Sequence, residues 1–114
     1  MSSSLSGDNL VRLTGKVSKV GPLQYAPSGT PISELIIAVQ QIHLEKTNVG
    51  YFEVVLAGEL AEKWSRDLKI GMVVDVEGAL WSRTFLNRQG IKISETKVLA
   101  KQIGGNLGRE NKKI

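Results

Sequence analysis

The sequence predicts an all-β protein, a five-stranded Greek-key barrel with one helix between its third and fourth strands. Five segments alternate between apolar and polar residues with the two-residue period of a β-strand. The only segment with helical spacing of apolar residues lies between the third and fourth of them. The first strand also carries a central glycine, Gly15, which is typical of a strand that bends around a small closed barrel.

Length and composition indicate one folded domain. The chain has 114 residues, of which 41% are hydrophobic, enough for one core. It has no cysteine and a single histidine, His43, so we predict neither a disulfide nor a metal site, and no cofactor. Residues 1–8 are serine-rich and resemble neither a signal peptide nor a membrane span, and we interpret them as the flexible tail of a cytoplasmic protein. The predicted domain is 9–105.

The net charge of +4 is unevenly distributed. Residues 1–100 carry 11 basic and 10 acidic side chains, whereas the end of the chain is basic, with a short tail predicted over 106–114. The domain itself is therefore nearly neutral, and any anion-binding surface depends on where individual cations lie. A solvated tail remains the alternative interpretation of the last lysines.

The first predicted strand, residues 10–20, is half-buried and ends at Gly21 and Pro22. The residues predicted to point inward are apolar: Val11, Leu13 and Val17. The residues predicted to point outward are polar: Arg12, Thr14, Lys16 and Ser18. A turn over residues 27–31 follows, because its two prolines and Gly29 fix the required dihedrals.

The second strand, residues 32–43, has apolar residues on both faces, which favours a central position in the sheet. We interpret the polar stretch at residues 45–50 as a mobile hairpin loop. The third strand, residues 51–58, points Phe52, Val54 and Leu56 into the core. The helix is predicted over residues 59–69, where the spacing of Trp64 from Leu60 and Leu68 indicates that it packs against one end of the barrel.

The fourth strand, residues 73–85, carries the most informative pattern. Alternation places Trp81, Arg83 and Phe85 on one face. Two stacking rings with a cation between them suit a single-stranded nucleic acid, whose bases have π-faces and whose phosphates are negative. The alternative is that both rings fill the barrel wall. A hairpin over residues 86–90 leads to the fifth strand, residues 91–103, and places Arg88 and Lys92 nearby.

This order of elements is that of the OB-fold, a barrel that binds oligonucleotides. Its main rival, the SH3-like barrel, normally lacks a long helix between its third and fourth strands.

No set of residues resembles a catalytic site or a phosphate-binding glycine loop, so we predict that the protein is not an enzyme. An interaction module whose exposed strand edges and loops dock another protein, with only incidental contact to nucleic acid, is the alternative to a nucleic-acid-binding protein.

Four stretches, in this order and spacing, resemble the bacterial single-stranded-DNA-binding proteins and their relative, primosomal replication protein N. They are NLVRLTG at 9–15, YAPSG at 25–29, YFEVVLAGELAE at 51–62 and VDVEGAL at 74–80. The likeness spans residues 9–108. It implies an OB-fold, single-stranded DNA as the ligand, a role in DNA replication, repair or recombination, and a homodimer or homotetramer that contacts other replication proteins.

The resemblance assigns aromatic binding positions to Tyr51 and Phe85, and a third to His43, whose imidazole can still stack. Trp81 stands where the family often has a basic residue, so one stacking ring has moved. Two positions depart from the family pattern, because Ala57 replaces a phenylalanine and Glu53 replaces a basic residue or a histidine. The predicted nucleic-acid-binding residues are Tyr51, Trp81, Arg83, Phe85, Arg88, Lys92, His43 and Lys16.

The subfamily stays open at this point. The sequence ends without the acidic, phenylalanine-containing tip of the general family members, and residues 27–31 share the Pro-Ser-Gly-x-Pro turn of primosomal replication protein N. Both features favour the shorter relative. The helical stretch at residues 60–68 favours the general binder instead.

Overall fold

A computed structural model describes residues 7–105. The tail predicted over residues 1–8 lies mostly outside the described residues, and the one predicted over residues 106–114 lies entirely outside them. The elements within residues 7–105 are β1 (Val11–Val20), β2 (Gln24–Tyr25), β3 (Pro31–His43), β4 (Lys46–Ala57), α1 (Glu59–Trp64), β5 (Val73–Leu86) and β6 (Lys92–Gly105).

Five long strands form a closed barrel. β1 pairs antiparallel with β3 on one side and with β5 on the other. β5 pairs antiparallel with β6, β6 runs parallel to β4, and β4 pairs antiparallel with β3, so the circuit returns to β1. The short β2 adds two residues beside β3. The predicted OB-fold is confirmed, with α1 in the position that argues against an SH3-like barrel.

Alternating side chains of all five long strands fill the interior of the barrel. The buried apolar residues in the described part of the chain are Val17, Leu35, Ile37, Val54, Leu56, Ala61, Leu68, Val74, Val76 and Val98. Val11, Leu13 and Phe52, all predicted to point inward, are partly buried against this core. Since successive side chains of a strand point to opposite sides, the intervening residues form the outer face of the barrel.

β1 changes its pairing partner at its centre, as the predicted glycine bend requires. Lys16 pairs with Val73 of β5 and also with Ala38 of β3. A Cβ on the preceding Gly15 would lie 2.6 Å from the carbonyl oxygen of Ala38, closer than real Cβ contacts allow. The missing side chain therefore lets β1 and β3 approach where the barrel closes.

The prediction of a mobile loop at residues 45–50 is wrong. β3 and β4 pair without interruption up to His43 and Lys46, so only Leu44 and Glu45 form the turn. Both have positive φ, 51° and 67°, which is the conformation of a two-residue type I′ turn. Polar side chains suggested a loop, but they belong to a hairpin that projects from the barrel, where both faces of the strand meet solvent.

The predicted helix exists but is shorter than expected. α1 spans Glu59–Trp64, and the rest of the predicted stretch is a turn over residues 65–67 followed by irregular chain at 68–69. Trp64 is half-buried and packs against the core, as its spacing predicted. No helix among residues 7–105 is long and apolar enough to cross a membrane.

Candidate nucleic-acid interface

The β3 to β4 hairpin and the β5 to β6 hairpin extend beyond the barrel wall, and together they carry most of the predicted binding residues. β5 pairs with β1 only as far as Gly78, whereas its pairing with β6 continues to Leu86 and Lys92. The base of this hairpin is held by Asn9, whose carboxamide donates to the carbonyl of Leu80 at 2.9 Å and accepts from its amide at 2.8 Å. Asn9 thereby continues the β1 to β5 ladder up to the residue before Trp81.

Trp81, Arg83 and Phe85 lie on the outer face of β5, and we call this set the aromatic row. Val74 and Val76 of the same strand are buried, so residues of the opposite parity point away from the core. The guanidinium carbon of Arg83 lies 5.9 Å from the centroid of the Trp81 ring and 4.7 Å from that of Phe85. Both rings remain more than one third exposed, at 43% and 37%. The barrel-wall alternative is therefore wrong.

Arg83 is held by an acidic neighbour on β6 that was not among the residues predicted from sequence. Glu95 stands directly opposite Arg83 in the β5 to β6 ladder, and its Oε2 accepts a hydrogen bond from Arg83 Nε. Residues directly opposite in an antiparallel pair share a face, so Glu95 lies on the outer face as well. The guanidinium thus contacts a carboxylate and two rings at once. Correct hairpin register would have revealed this pair from sequence.

A second ion pair lies beside Trp81. Lys97 stands opposite Trp81 in the ladder, and its Nζ donates to Glu34 Oε2 at 3.2 Å, reaching from β6 to β3. The side chain of Lys97 is only 17% exposed, because it lies along the surface of the sheet. Periodicity in the sequence does not reveal this role of Lys97, because the strand order that brings β6 near β3 is a property of the closed barrel.

Tyr51 and Lys16 lie on the same outer surface, in one row across three strands. Tyr51 of β4 pairs with Ala38 of β3, and Ala38 pairs with Lys16 of β1. Tyr51 is 65% exposed. Glu53, two residues along β4, is exposed on this face too. The surface therefore mixes stacking rings with charges of both signs.

His43 and Lys92 lie apart from the aromatic row. His43 has the parity of the buried Leu35 and Ile37, and the register of β3 with β4 contains no shift, so it faces away from Tyr51. Lys92 pairs with Leu86, which has the opposite parity to Phe85, so it lies on the reverse side of its hairpin. The structure does not bring these two predicted residues together with the others.

Arg88 lies at the tip of the β5 to β6 hairpin and is exposed. Asn87 organises this tip, because its Oδ1 accepts hydrogen bonds from the amides of Gln89 and Ile91 at 2.9 and 3.0 Å. Gly90 completes the turn with a positive φ of 78°. Arg88 is therefore presented on an ordered turn, one residue beyond Asn87.

Residues 8–105 match the sequence model of the Single-strand binding protein family. The chain belongs to this family. The matched segment covers the whole barrel and both hairpins, so the resemblance noted from sequence is confirmed.

Relatives and solved structures agree with this assignment. The chain is 30% identical over 101 residues to the Single-stranded DNA-binding protein 1 of Xylella fastidiosa, covering 83% of this chain and 74% of that protein. It is 28% identical over 100 residues to the Single-stranded DNA-binding protein of Aquifex aeolicus, covering 83% of this chain and 67% of the other. The crystal structure of the wild-type single-stranded DNA binding protein from Thermus aquaticus superposes with a TM-score of 0.80 at 32% identity. That match covers 93% of this chain and 53% of the other, so this chain spans about half of the Thermus aquaticus protein.

Proposed function

We propose that this chain binds single-stranded DNA without sequence preference and acts in DNA replication, repair or recombination. The proposal extends to a homodimer or homotetramer that contacts other replication proteins in the cytoplasm. No catalytic activity is proposed, and no group of His, Asp and Glu able to hold a metal ion occurs within the described residues 7–105.

The observation that carries the proposal is the aromatic row on an exposed hairpin. Stacking of a base on an aromatic ring contributes about 1–3 kcal/mol and tolerates any base, because every base has a π-face. The guanidinium of Arg83 between Trp81 and Phe85 can also stack with bases or contact phosphate. A duplex offers phosphates to the guanidinium but no free base faces to the rings, since its bases are already stacked.

The near-neutral outer face supports stacking over charge as the main source of affinity. Arg83 and Lys97 are each paired with a carboxylate, and Glu53 adds a further negative charge. A protein that bound duplex DNA through its phosphates would present a basic surface instead.

The test is a titration of labelled oligothymidylate, a mixed-sequence single strand and a matched duplex at two salt concentrations, followed by tryptophan fluorescence. We expect quenching, similar affinity for the two single strands, and weaker binding of the duplex. Equal affinity for duplex and single strand would contradict the proposal. The absence of any binding at low salt would favour the interaction-module alternative.

Light scattering of the protein measures the assembly. A dimer would favour the primosomal relative and a tetramer the general binder, whereas a monomer would contradict the proposed oligomer. Repeating the measurement with oligothymidylate tests whether the assembly changes on binding.

A further inference from the structure

We propose that Glu95 is a positioning residue that restrains Arg83 in the free protein and must release it when single-stranded DNA binds. The inference rests on the proposed function of the aromatic row. It adds a regulation of that site: the affinity is lowered by an internal carboxylate that competes with phosphate for the same guanidinium.

The geometry of the pair supports competition. Arg83 Nε donates to Glu95 Oε2, and the two residues face each other across the β5 to β6 ladder. The side chain of Glu95 is 27% exposed and that of Arg83 is 53% exposed, so the guanidinium is the more accessible partner of the pair. A phosphate oxygen that approached Arg83 would meet a cation whose charge is already balanced.

The position of Arg83 over the rings gives the pair a second effect. Its guanidinium carbon lies 4.7 Å from the Phe85 centroid, within the range of a cation–π contact. The guanidinium therefore covers part of a surface on which a base would stack. Because Glu95 fixes the guanidinium in this place, it limits access to Phe85 as well as to the charge of Arg83.

Glu53 provides a matched control for long-range charge. It is also exposed on the outer face, on β4, and no ion pair joins it to a cation within the described residues 7–105. Glu53→Gln removes one negative charge from the face without freeing an arginine. Glu95→Gln removes one negative charge and also breaks the ion pair with Arg83, leaving only a neutral acceptor.

The experiment compares oligothymidylate binding by wild type, Glu95→Gln, Glu53→Gln, Arg83→Ala and the Arg83→Ala/Glu95→Gln double variant over a range of salt. Glu95→Gln should raise the affinity at low salt by up to about fivefold. This factor corresponds to the upper end of the free energy that an exposed ion pair contributes, which binding would no longer have to overcome. It should also steepen the slope of log affinity against log salt by up to about 0.7, the value for one phosphate of a single strand. Glu53→Gln should change the affinity less and leave the slope unchanged.

The double variant decides whether Glu95 acts through Arg83. In the Arg83→Ala background, Glu95→Gln should change neither affinity nor slope beyond the effect of Glu53→Gln. Two results would overturn the proposal: an equal gain in affinity from Glu95→Gln with and without Arg83, or equal effects of Glu95→Gln and Glu53→Gln. Either result would mean that Glu95 acts only through its negative charge on the surface and not through Arg83.

A readout without DNA separates this proposal from the proposed function. The chain has five arginines, and their Nε–H signals can be followed by ¹⁵N–¹H NMR, with Arg83→Lys identifying the signal of Arg83. In the free wild-type protein this proton should exchange slowly with water, and Glu95→Ala, which removes the acceptor, should accelerate its exchange. If Glu95→Ala left the exchange unchanged, the restraint itself would be refuted, whatever the protein binds. Failure of wild type to bind any single strand would instead refute the proposed function.

Discussion

Asn9 pairs through its side chain with both backbone groups of Leu80, at 2.9 and 2.8 Å. The residue immediately after Leu80 is Trp81, the first ring of the aromatic row. A polar side chain near the start of the described chain thus holds the base of the hairpin on which the proposed interface depends.

Replacing Asn9 should weaken the attachment of the β5 to β6 hairpin to the barrel. Asn9→Ala removes both hydrogen bonds and should lower the free energy of unfolding by about 1 kcal/mol, with the Leu80 backbone returned to water. Asn9→Asp keeps the acceptor and loses the donor, so it should fall between Ala and wild type. Thermal melts measure the stability, and amide exchange at Leu80 locates the change. Unchanged exchange at Leu80 in Asn9→Ala would show that the pairing contributes nothing.

The rings of the interface should separate folding from binding. Trp81→Ala and Phe85→Ala should remain folded and each lose about 1–3 kcal/mol of binding free energy per stacked base. Tyr51→Ala should lose less, because Glu53 lies beside it on the same face and repels phosphate.

Trp64→Ala is the matched control for these three variants, since Trp64 packs against the core. It should lower the free energy of unfolding by up to about 3–5 kcal/mol, as truncation of buried aromatics does, while the folded fraction binds as wild type. Melting temperature and oligothymidylate affinity should be measured for all four proteins. Unfolding of the Trp81 and Phe85 variants with Trp64→Ala intact would mean that the faces of the barrel are assigned backwards.

The basic residues of the β5 to β6 hairpin should differ in their effect on salt dependence. Arg88→Ala should reduce the slope of log affinity against log salt by up to about 0.7, the single-strand value for one phosphate. Lys92→Ala should reduce it less, because Lys92 lies on the side of the hairpin opposite to Phe85. Titrations at four or more salt concentrations give both slopes. A larger effect of Lys92 would place the DNA around the reverse side of the hairpin.

Gly78 should tolerate no side chain. A Cβ there would overlap the carbonyl oxygen of Leu99, a backbone atom that no change of rotamer can move. The register of β5 with β6 shifts between Glu77 and Gly78, which leaves Lys101 unpaired and draws the two backbones together. Gly78→Ala should therefore lower the free energy of unfolding by at least about 1–3 kcal/mol.

Gly104→Ala is the control for Gly78→Ala, because a Cβ at Gly104 meets no atom within 4 Å. It should leave the melting temperature nearly unchanged. Similar melting temperatures for the two variants would contradict the close approach at Gly78.

The β3 to β4 turn should be open to stabilisation. Leu44 and Glu45 adopt positive φ, which costs an ordinary residue roughly 1 kcal/mol that glycine does not incur. Glu45→Gly should therefore raise the free energy of unfolding by about that amount, whereas Gln40→Gly within β3 should lower it by about 0.5–1 kcal/mol. Chemical denaturation compares the two. Destabilisation by Glu45→Gly would argue against the type I′ turn.

Much of the fold could be predicted because local patterns specify it. The alternation in residues 73–85 predicted β5 and the face shared by Trp81, Arg83 and Phe85, since a strand repeats every two residues. The central glycine of β1 predicted its bend for an equally local reason, the lack of a Cβ. The hairpin at 44–45 escaped the same reasoning, because Leu-Glu is not a turn sequence and only continuous pairing with β4 forces both residues to positive φ.

The sequence by itself determined the closed β-barrel, the inward position of Val17, Val54 and Leu56, and the identity of the rings on its surface. The tertiary structure alone decided which charges stand beside those rings. Glu95 and Glu34 are 12 and 63 positions from the cations they contact, and strand register and barrel closure bring them together. Periodicity assigns a residue to a face, but the neighbours on that face come from other strands, and only the register of the β5 to β6 hairpin places Lys92 on the side away from Phe85.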